Sequence, residues 1–560
     1  MIDADTRQPL PENIPSTELY SRAYLSLREK DDSSNMIRRS SSHGRPKVLF
    51  LTEGSYPFTG GGVSTWSHIL LEGLASQVDF VIMTITGDEK QKIRYQLPAN
   101  VKKMLHLPLW CQPDPLIHYD DQQSYYDIIR KRMNTTPEII QESFLPYFDR
   151  FLDLLFSNIP DVYRVGEIFY HFRLYFDQYD YKTTIQHPAI WQRFLEKIPA
   201  SVRKGWGRNV QSTPTISDAT TGLQWLYYFM LPLSVDLPEA DLSHTTLAGF
   251  PGLVALAAKL TRGTPYVITD HGVFIRERLL NLNQSDFSPF SKALLASLSV
   301  LITKTVYAYA DMILPVTNFN KRWEERMGVN ERKIRVIPNG IDPSEFRPTP
   351  KPGQNKDHPV VVAAAQVGPL KDILTMIRVC DEVRKVIPSV RFLVYGSTDW
   401  DKPYTEKCRR LIRELGLENH FVFGGFHERP QKLFNEGDIS LVTSISEGFP
   451  YVVLESMSCA RPVVATDVGG IRDALDDCGI LCKPGDVQAL ADAVTRLLLD
   501  DDLRVRLGRK ARERVLLRYT REQSISSYLE VYKELTGRGK LDLKQKNQPI
   551  THGKELSHVG

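Results

Sequence analysis

Residues 444–470, SISEGFPYVVLESMSCARPVVATDVGG, carry the reading from which the fold follows. A buried strand is expected to end near Ser444 and a helix to open at Pro450, a residue suited to the first helical position, with Glu447, Gly448 and Phe449 in the turn between them. The backbone N–H groups of such a turn have no helical partner and sit at the positive end of the helix dipole. They are therefore placed to donate to sugar hydroxyls or phosphate oxygens, and Gly448 lets a ligand approach the chain closely. Glu455 falls about five residues into the helix, so two carboxylates stand at different depths along one wall without having to touch. Each can accept hydrogen bonds from a separate set of hydroxyls.

Outward from this stretch, strand and helix signals alternate. PVVVAAA (359–365), SVRFLVYG, HFVFGG, DISLVTS and RPVVAT read as strands separated by helical segments, the pattern of a doubly wound parallel sheet. A second such unit lies upstream. KVLFLTE (47–53) is a continuous apolar run, FTGGGVSTW is a glycine turn, and Trp66, Ile69, Leu70, Gly73 and Leu74 recur at helical spacing. VDFVIMTIT (78–86), PYVIT (265–269) and MILPV (312–316) read as further strands, and KIRVIPNGIDPSEF closes the unit with a Pro-Asn-Gly turn.

Between about 110 and 235 the pattern changes to long, aromatic-rich helices, an insertion whose rings serve an acceptor platform, a lid, a partner surface or, as aromatics at helical spacing more often do, a core. The expected organisation is an arm over 1–45 and a first domain over 46–340 with its insertion at 110–235. A second domain over 341–520 and a helix over 521–537 follow, the helix crossing back to the first domain, and the chain ends in a tail over 538–560. The arm and the tail are polar and without periodicity, and both are expected to be disordered. KPGQNKDHP (351–359) has linker composition.

Composition narrows the function classes. The 70 basic and 67 acidic residues leave a net charge of +3, with no long basic run, so no nucleic-acid surface is expected and an anionic ligand must be met locally. Six scattered cysteines make no disulfide framework, and Cys478 and Cys482 lack the partners of a zinc site; both read as packing residues in a reducing cytoplasmic setting. No apolar run of membrane-spanning length is found, and 291–316, broken by Lys292, Lys304 and Asp311, suits a buried helix. Peripheral association with a membrane polysaccharide-synthesis complex stays open.

The paired glutamates, PNGID (338–342), LTEGSYPFTGGGVSTW (51–66), HTTLAGFPGLVA (244–255), TDHGVFIRER (269–278), the stretch from VYGSTDW to RELGL (394–417) and FVFGGF (421–426) together resemble the retaining GT-B glycosyltransferases of family four, in particular their Pel exopolysaccharide branch. The resemblance runs from about 47 to 536 and implies two facing Rossmann-like domains that move a sugar from a nucleotide diphosphate sugar, UDP-glucose in that branch, to a saccharide acceptor. It implies that Glu455 holds the donor ribose, that Glu447 with the backbone of Gly448 and Phe449 holds the transferred sugar, and that Lys371 lies on the diphosphate. His271 would line the sugar pocket near the reacting carbon, through its carbonyl as well as its ring.

The turn Gly61, Gly62 and Val63 would approach the diphosphate or the acceptor, and Arg276 and Arg278 are candidate phosphate or acceptor contacts. An ion pair of Arg276 with Glu277 on a solvated helix is the competing reading for the first arginine. The pattern departs at Gln366, where the family carries an arginine five residues before the lysine; an amide supplies neither the full charge nor the bidentate fork. Retention without an evident protein nucleophile implies same-face displacement, and no cofactor or catalytic metal is expected. Two other readings stay open: a non-catalytic subunit that binds nucleotide sugar within a polysaccharide-synthesis complex, and another GT-B activity such as an α-glucan synthase or an epimerase.

Overall fold

A computed structural model describes residues 44–538 except 112–123, 204–205, 207–213, 351–357, 426 and 428. The readings of a disordered arm and tail, and most of the linker reading, lie outside the described residues.

Two six-stranded parallel sheets organise the chain. The first contains β1 (Lys47–Glu53), β2 (Asp79–Thr86), β3 (Val101–Pro108), β4 (Leu242–Thr245), β5 (Tyr266–Ile268) and β6 (Met312–Ile313), in the order β3-β2-β1-β4-β5-β6. The second contains β7 (Val360–Ala364), β8 (Arg391–Tyr395), β9 (Phe421–Gly425), β10 (Ile439–Val442), β11 (Val463–Thr466) and β12 (Ile480–Cys482), in the order β12-β11-β10-β7-β8-β9. Counted within each sheet, the two orders are the same, with the winding direction reversing between β1 and β4 and again between β7 and β10. In open α/β sheets ligands settle at the carboxyl ends of the strands at that reversal.

Three strands escaped the sequence reading: β3, β4 and β12. β3 is an edge strand whose Lys102 and Lys103 face solvent, so its apolar residues do not form a run. β4 carries Ser243, His244 and Thr245, all fully buried, where apolar residues are the usual signal. β12 spans three residues, too short for a pattern.

Helices cover both faces of each sheet. The insertion supplies helices from Tyr125–Asn134 to Ile216–Met230, and Phe144, Phe148, Phe151, Phe169, Phe172 and Phe176 are buried in one cluster with Leu49, Leu51 and Met83 of the first sheet. Its aromatic pattern is therefore largely core. Among the described residues one helix, Pro289–Tyr309, is long and apolar enough to cross a membrane; it packs into the same cluster, with 67% of its most apolar window buried.

The opposite face of the first sheet receives the helix Gly62–Gly73 and the last helix, Arg521–Leu535, whose Tyr528, Val531 and Tyr532 are buried against Val48, Phe50 and Trp66. This last helix follows directly on the second lobe and is seated by the PNGID turn: Ile341 N–H donates to the Tyr519 carbonyl (3.0 Å), and Arg521 N–H donates to the Ile341 carbonyl (2.8 Å). A methyl group at Gly340 would lie 2.3 Å from the Thr520 carbonyl oxygen, so the crossing strands touch only because that position is glycine.

Buried His244 is satisfied by this crossing, with Nδ1 2.5 Å from the Tyr532 hydroxyl and Nε2 2.7 Å from Thr269 Oγ1. Burial, and secondarily the neighbouring His271, holds its pKa down to about 3, so the ring folds neutral. Tyr532→Ala should destabilise the protein by about 3–5 kcal/mol through the cavity it leaves, and Tyr532→Phe by about 1–3 kcal/mol through the unpartnered ring nitrogen. Thermal or urea unfolding checks both, and a phenylalanine variant as damaging as the alanine one would contradict this division.

Candidate functional site

β7 and β10 diverge at the reversal of the second sheet, and the loops that leave them are stitched together. Thr443 Oγ1 donates to the carbonyls of Lys371 (2.8 Å) and Asp372 (3.1 Å), and Ile445 N–H donates to the Leu370 carbonyl (2.9 Å). Lys371 lies in the short turn Pro369–Lys371, not on a regular helix. Asp372 behind it takes a left-handed conformation (φ 44°) while its carboxylate caps the helix Ile373–Val386. The result fixes Lys371 Nζ 2.5 Å from Glu447 Oε1, which also accepts a hydrogen bond from Ser444 Oγ at 2.6 Å. Glu447 is only 10% exposed and Lys371 32%, so the carboxylate is walled in while the ammonium retains access to solvent. The two residues assigned separately to the sugar and the diphosphate are thus in direct contact.

The loop bearing Glu447 is shaped by glycines beneath it. Gly470 N–H donates to the Gly448 carbonyl (2.8 Å), and a methyl at Gly469, where φ is 56°, would lie 1.7 Å from the Glu447 carbonyl oxygen. Asn339 of PNGID holds the next residue, its Nδ2 donating to the Phe449 carbonyl at 3.0 Å. The helix then runs Tyr451–Ser458 and opens one residue later than predicted, with Pro450 at its N-cap, because the Pro450 backbone is still extended (ψ 125°). Glu455, its fifth residue, is half-buried and has no side-chain hydrogen bond among the described residues. Burial raises its pKa to about 7.

The first lobe closes on this loop. His271 follows β5, and a methyl at Gly448 would lie 2.0 Å from the His271 carbonyl oxygen, so that carbonyl faces the loop directly. The imidazole packs edge-on against Trp66 (centroids 4.3 Å apart), its Nε2 is buried without a partner, and desolvation lowers its pKa to about 3. Arg276 Nη1 donates to Ser446 Oγ at 2.8 Å, a cross-lobe bond that replaces the predicted alternative of a local pair with Glu277. Gly61, Gly62 and Val63 form the start of the helix Gly62–Gly73, and Gly62 approaches Tyr451 of the second lobe. Gln366 is exposed beyond the end of β7, and the hydrogen bonds to the Glu447 carboxylate described here come from Lys371 and Ser444.

Arg278 takes a different direction from Arg276. Its guanidinium lies 5.6 Å from the Phe229 ring centre, and its charge acts on Glu53, the last residue of β1.

Several contributors went unread in the sequence. Ser444 and Thr443 orient the charged pair, and nothing but their position after a strand marks them. Asp270, just before His271, is buried with Glu324; burial pushes both carboxyls up, the Asp270 charge raises Glu324 further, and hydrogen bonds from Tyr307 and Glu324 hold Asp270 down. Tyr307 donates its hydroxyl to Asp270, and Asn320 Nδ2 donates to the Asp270 carbonyl (2.9 Å), anchoring the His271 turn. Glu53 was legible as a charged residue ending an apolar strand.

Two family profiles match. "Domain of unknown function (DUF3492)" covers residues 46–332, and "Glycosyl transferases group 1" covers 347–514. Putative glycosyltransferase EpsD of Bacillus subtilis (strain 168) is 28% identical over 320 residues, 54% of this chain and 79% of EpsD. N-acetyl-alpha-D-glucosaminyl L-malate synthase of Bacillus anthracis is 34% identical over 125 residues, 22% of this chain and 33% of that protein. Beyond EpsD, the chain spans about half or less of the length of the curated relatives it matches.

Among solved structures, sucrose-phosphate synthase from Thermosynechococcus elongatus superposes with a TM-score of 0.56 at 17% identity, covering 88% of this chain and 100% of that one. Anabaena HepE, crystallised with UDP and glucose, superposes with a TM-score of 0.52 at 15% identity, covering 87% and 99%. At these identities the likeness is one of fold, two Rossmann-like lobes in the GT-B arrangement. The chain belongs to the family defined by the domain of unknown function DUF3492, carried here on a GT-B fold whose second lobe matches the group 1 glycosyl transferase profile.

Proposed function

We propose that the chain is a retaining glycosyltransferase that moves a sugar from a nucleotide diphosphate donor to a saccharide acceptor in polysaccharide synthesis. UDP-glucose is the donor suggested by the resemblance to the Pel exopolysaccharide glycosyltransferase PelF. The observation that carries the reading is the Lys371–Glu447 pair at the reversal of the second sheet, with the His271 carbonyl opposite. That arrangement sets a cation, a carboxylate and two backbone faces around one point, the elements needed to hold a sugar on a departing phosphate.

In this reading the diphosphate takes Lys371, which releases Glu447 to accept hydroxyl protons of the sugar, and Glu455 accepts from the ribose. As the bond between the anomeric carbon and the phosphate oxygen breaks, negative charge grows on that oxygen, and the fixed ammonium stabilises it. The acceptor oxygen enters on the same face, and its proton passes to the departing phosphate oxygen. His271, neutral through desolvation, lines the pocket without adding a charge that would oppose an oxocarbenium-like sugar. Glu447 is already held by Lys371 and Ser444, which favours a hydroxyl-binding role over a nucleophilic one. Arg276, brought to Ser446 from the first lobe, is a basic group beside the donor loop that offsets the amide at Gln366. The six cysteines, all buried, accord with a cytoplasmic setting. Lys371 supplies the leaving-group charge in this scheme, so we propose that no metal or other cofactor is required.

Lys371→Ala and Glu447→Ala should each slow transfer about 100-fold or more, the scale for losing one preorganised charge partner; Glu447→Ala should leave thermal unfolding little changed because the ammonium it strands reaches solvent, whereas Lys371→Ala should lower the melting temperature by stranding a nearly enclosed carboxylate. The double variant should lose less than the product of the two, because the residues act as a unit; near-native rates in either single variant contradict the assignment. Glu455, with its pKa raised in the folded state, contributes stability that is present below its unfolded value and lost as pH rises through about 7. Glu455→Gln should therefore raise the melting temperature at pH 8 but not at pH 4.5, while weakening UDP binding measured by calorimetry at pH 8. Unchanged UDP affinity would remove Glu455 from the donor site. Activity should persist in excess EDTA, and loss restored by magnesium would overturn metal independence.

A further inference from the structure

Behind the His271 turn two acidic side chains are buried against each other. Asp270, just beyond β5, is 1% exposed, and Glu324, on the helix Asn318–Arg326, is 2% exposed. Asp270 Oδ2 accepts from the Tyr307 hydroxyl, whereas Asp270 Oδ1 and both Glu324 oxygens are enclosed with no donor to accept from among the described residues. The charges that act on the two carboxyls, Glu277 on Asp270 and Glu325 on Glu324, are acidic as well. Two carboxylates offer each other acceptors only, and an enclosed pair of like charges is unstable in that form. One proton resolves the arrangement. A neutral Glu324 carboxyl is a donor, and its O–H to Asp270 supplies the missing bond. Burial first, then the charge and the hydrogen bond of Asp270, raise the Glu324 pKa above the ordinary glutamate range, while the bonds from Tyr307 and Glu324 oppose the effect of burial on Asp270.

The pair is tied to the loop of Glu447 from two sides. The Asp270 carbonyl accepts from Asn320 Nδ2 (2.9 Å) and from the Val316 N–H (3.3 Å), so residue 270 is held by both its side chain and its backbone. The next carbonyl along, that of His271, is the one a methyl at Gly448 would meet at 2.0 Å. The helix of Glu324 reaches the second lobe at its other end: Asn318 N–H donates to Asp473 Oδ2 (2.7 Å), and a methyl at Gly470 would lie 2.2 Å from Thr317 Cγ2. Gly470 N–H in turn donates to the Gly448 carbonyl. Glu324 thus sits on the element that joins the His271 turn to the second lobe.

We propose that Glu324 is a positioning residue, a neutral carboxyl whose O–H donates to Asp270 and fixes the turn that presents the His271 carbonyl to the loop of Glu447. Its part in turnover rests on the transfer reading; the proton on Glu324 does not. Loss of that proton would leave two enclosed negative charges in contact, and their repulsion is relieved only by parting the His271 turn from the helix Asn318–Arg326.

Unfolding tests the proton, and turnover tests the positioning. A carboxyl whose pKa is raised by folding contributes stability that is present below its unfolded value, about 4.3, and is lost as pH rises toward its folded one. Glu324→Gln keeps a donor and does not titrate, so its melting temperature should gain on that of the unaltered chain by about 2 °C or more between about pH 5 and pH 8.5. Asp270→Asn, which removes the like charge, should gain in the same direction and serves if the glutamine variant melts early at both pH values. Consumption of UDP-glucose and affinity for UDP are then measured on the same samples. Glu324→Ala, which removes the donor, should lower kcat about 10-fold, and Glu324→Gln should restore it to within about twofold, with UDP affinity unchanged in both. A kcat unmoved in the alanine variant, or lowered equally in the glutamine one, overturns the positioning role. Equal pH dependence of melting in the unaltered chain and both acid-to-amide variants overturns the proposal and leaves the transfer reading standing. An unaltered chain that shows the pH-dependent difference but consumes no UDP-glucose sinks the reading of UDP-glucose transfer and leaves the protonated carboxyl standing.

Discussion

The contact between Lys371 and Glu447 is the constraint on which the second lobe's architecture converges. Opposite charges 2.5 Å apart, one of them nearly enclosed, need their surroundings fixed, because a carboxylate left unpaired there would bear the full cost of desolvation. The backbone supplies that rigidity. Thr443 hydrogen-bonds two successive carbonyls of the opposite loop, Asp372 is held in a left-handed conformation, and Gly469 and Gly470 let the loop below press against Glu447 and Gly448. The reversal of strand order between β7 and β10 is what opens room for two loops to meet.

The first lobe repeats the same topology with different chemistry. Its reversal point ends in Glu53, with the glycine turn beyond it, and it reaches the second lobe through the His271 carbonyl and Arg276. The turn carrying His271 is anchored from behind by Tyr307 and Asn320, which hydrogen-bond the carboxylate and carbonyl of Asp270. The two lobes are further tied by the last helix, whose tyrosines complete the first lobe's core and the hydrogen bonding of His244. The position of one lobe relative to the other is thus set by buried groups that neither lobe satisfies alone.

Strands that are buried on both faces were legible as apolar runs, and β1, β2, β5, β7, β8 and β11 all fall within the stretches read as strands. β3 was invisible because an edge strand with exposed lysines lacks that signature. β4 was invisible because three of its four buried residues are polar, and His244 among them finds a partner as distant in sequence as Tyr532. The residues of the site were legible by motif, but their pairing was not: 76 positions separate Lys371 from Glu447, and only the folded sheet brings them together. Arg276 bonds across the lobes and not to its neighbour in sequence, a contact that no local pattern encodes.

The central claim is that this charge pair is the place where a diphosphate and its sugar are parted from each other. A crystal structure of the chain soaked with UDP-glucose tests it most directly. The account expects a β-phosphate oxygen within hydrogen-bonding distance of Lys371 Nζ and sugar hydroxyls on Glu447, with the direct contact between the two side chains opened. A nucleotide bound elsewhere, or bound with that contact intact and the diphosphate remote from it, would contradict the account.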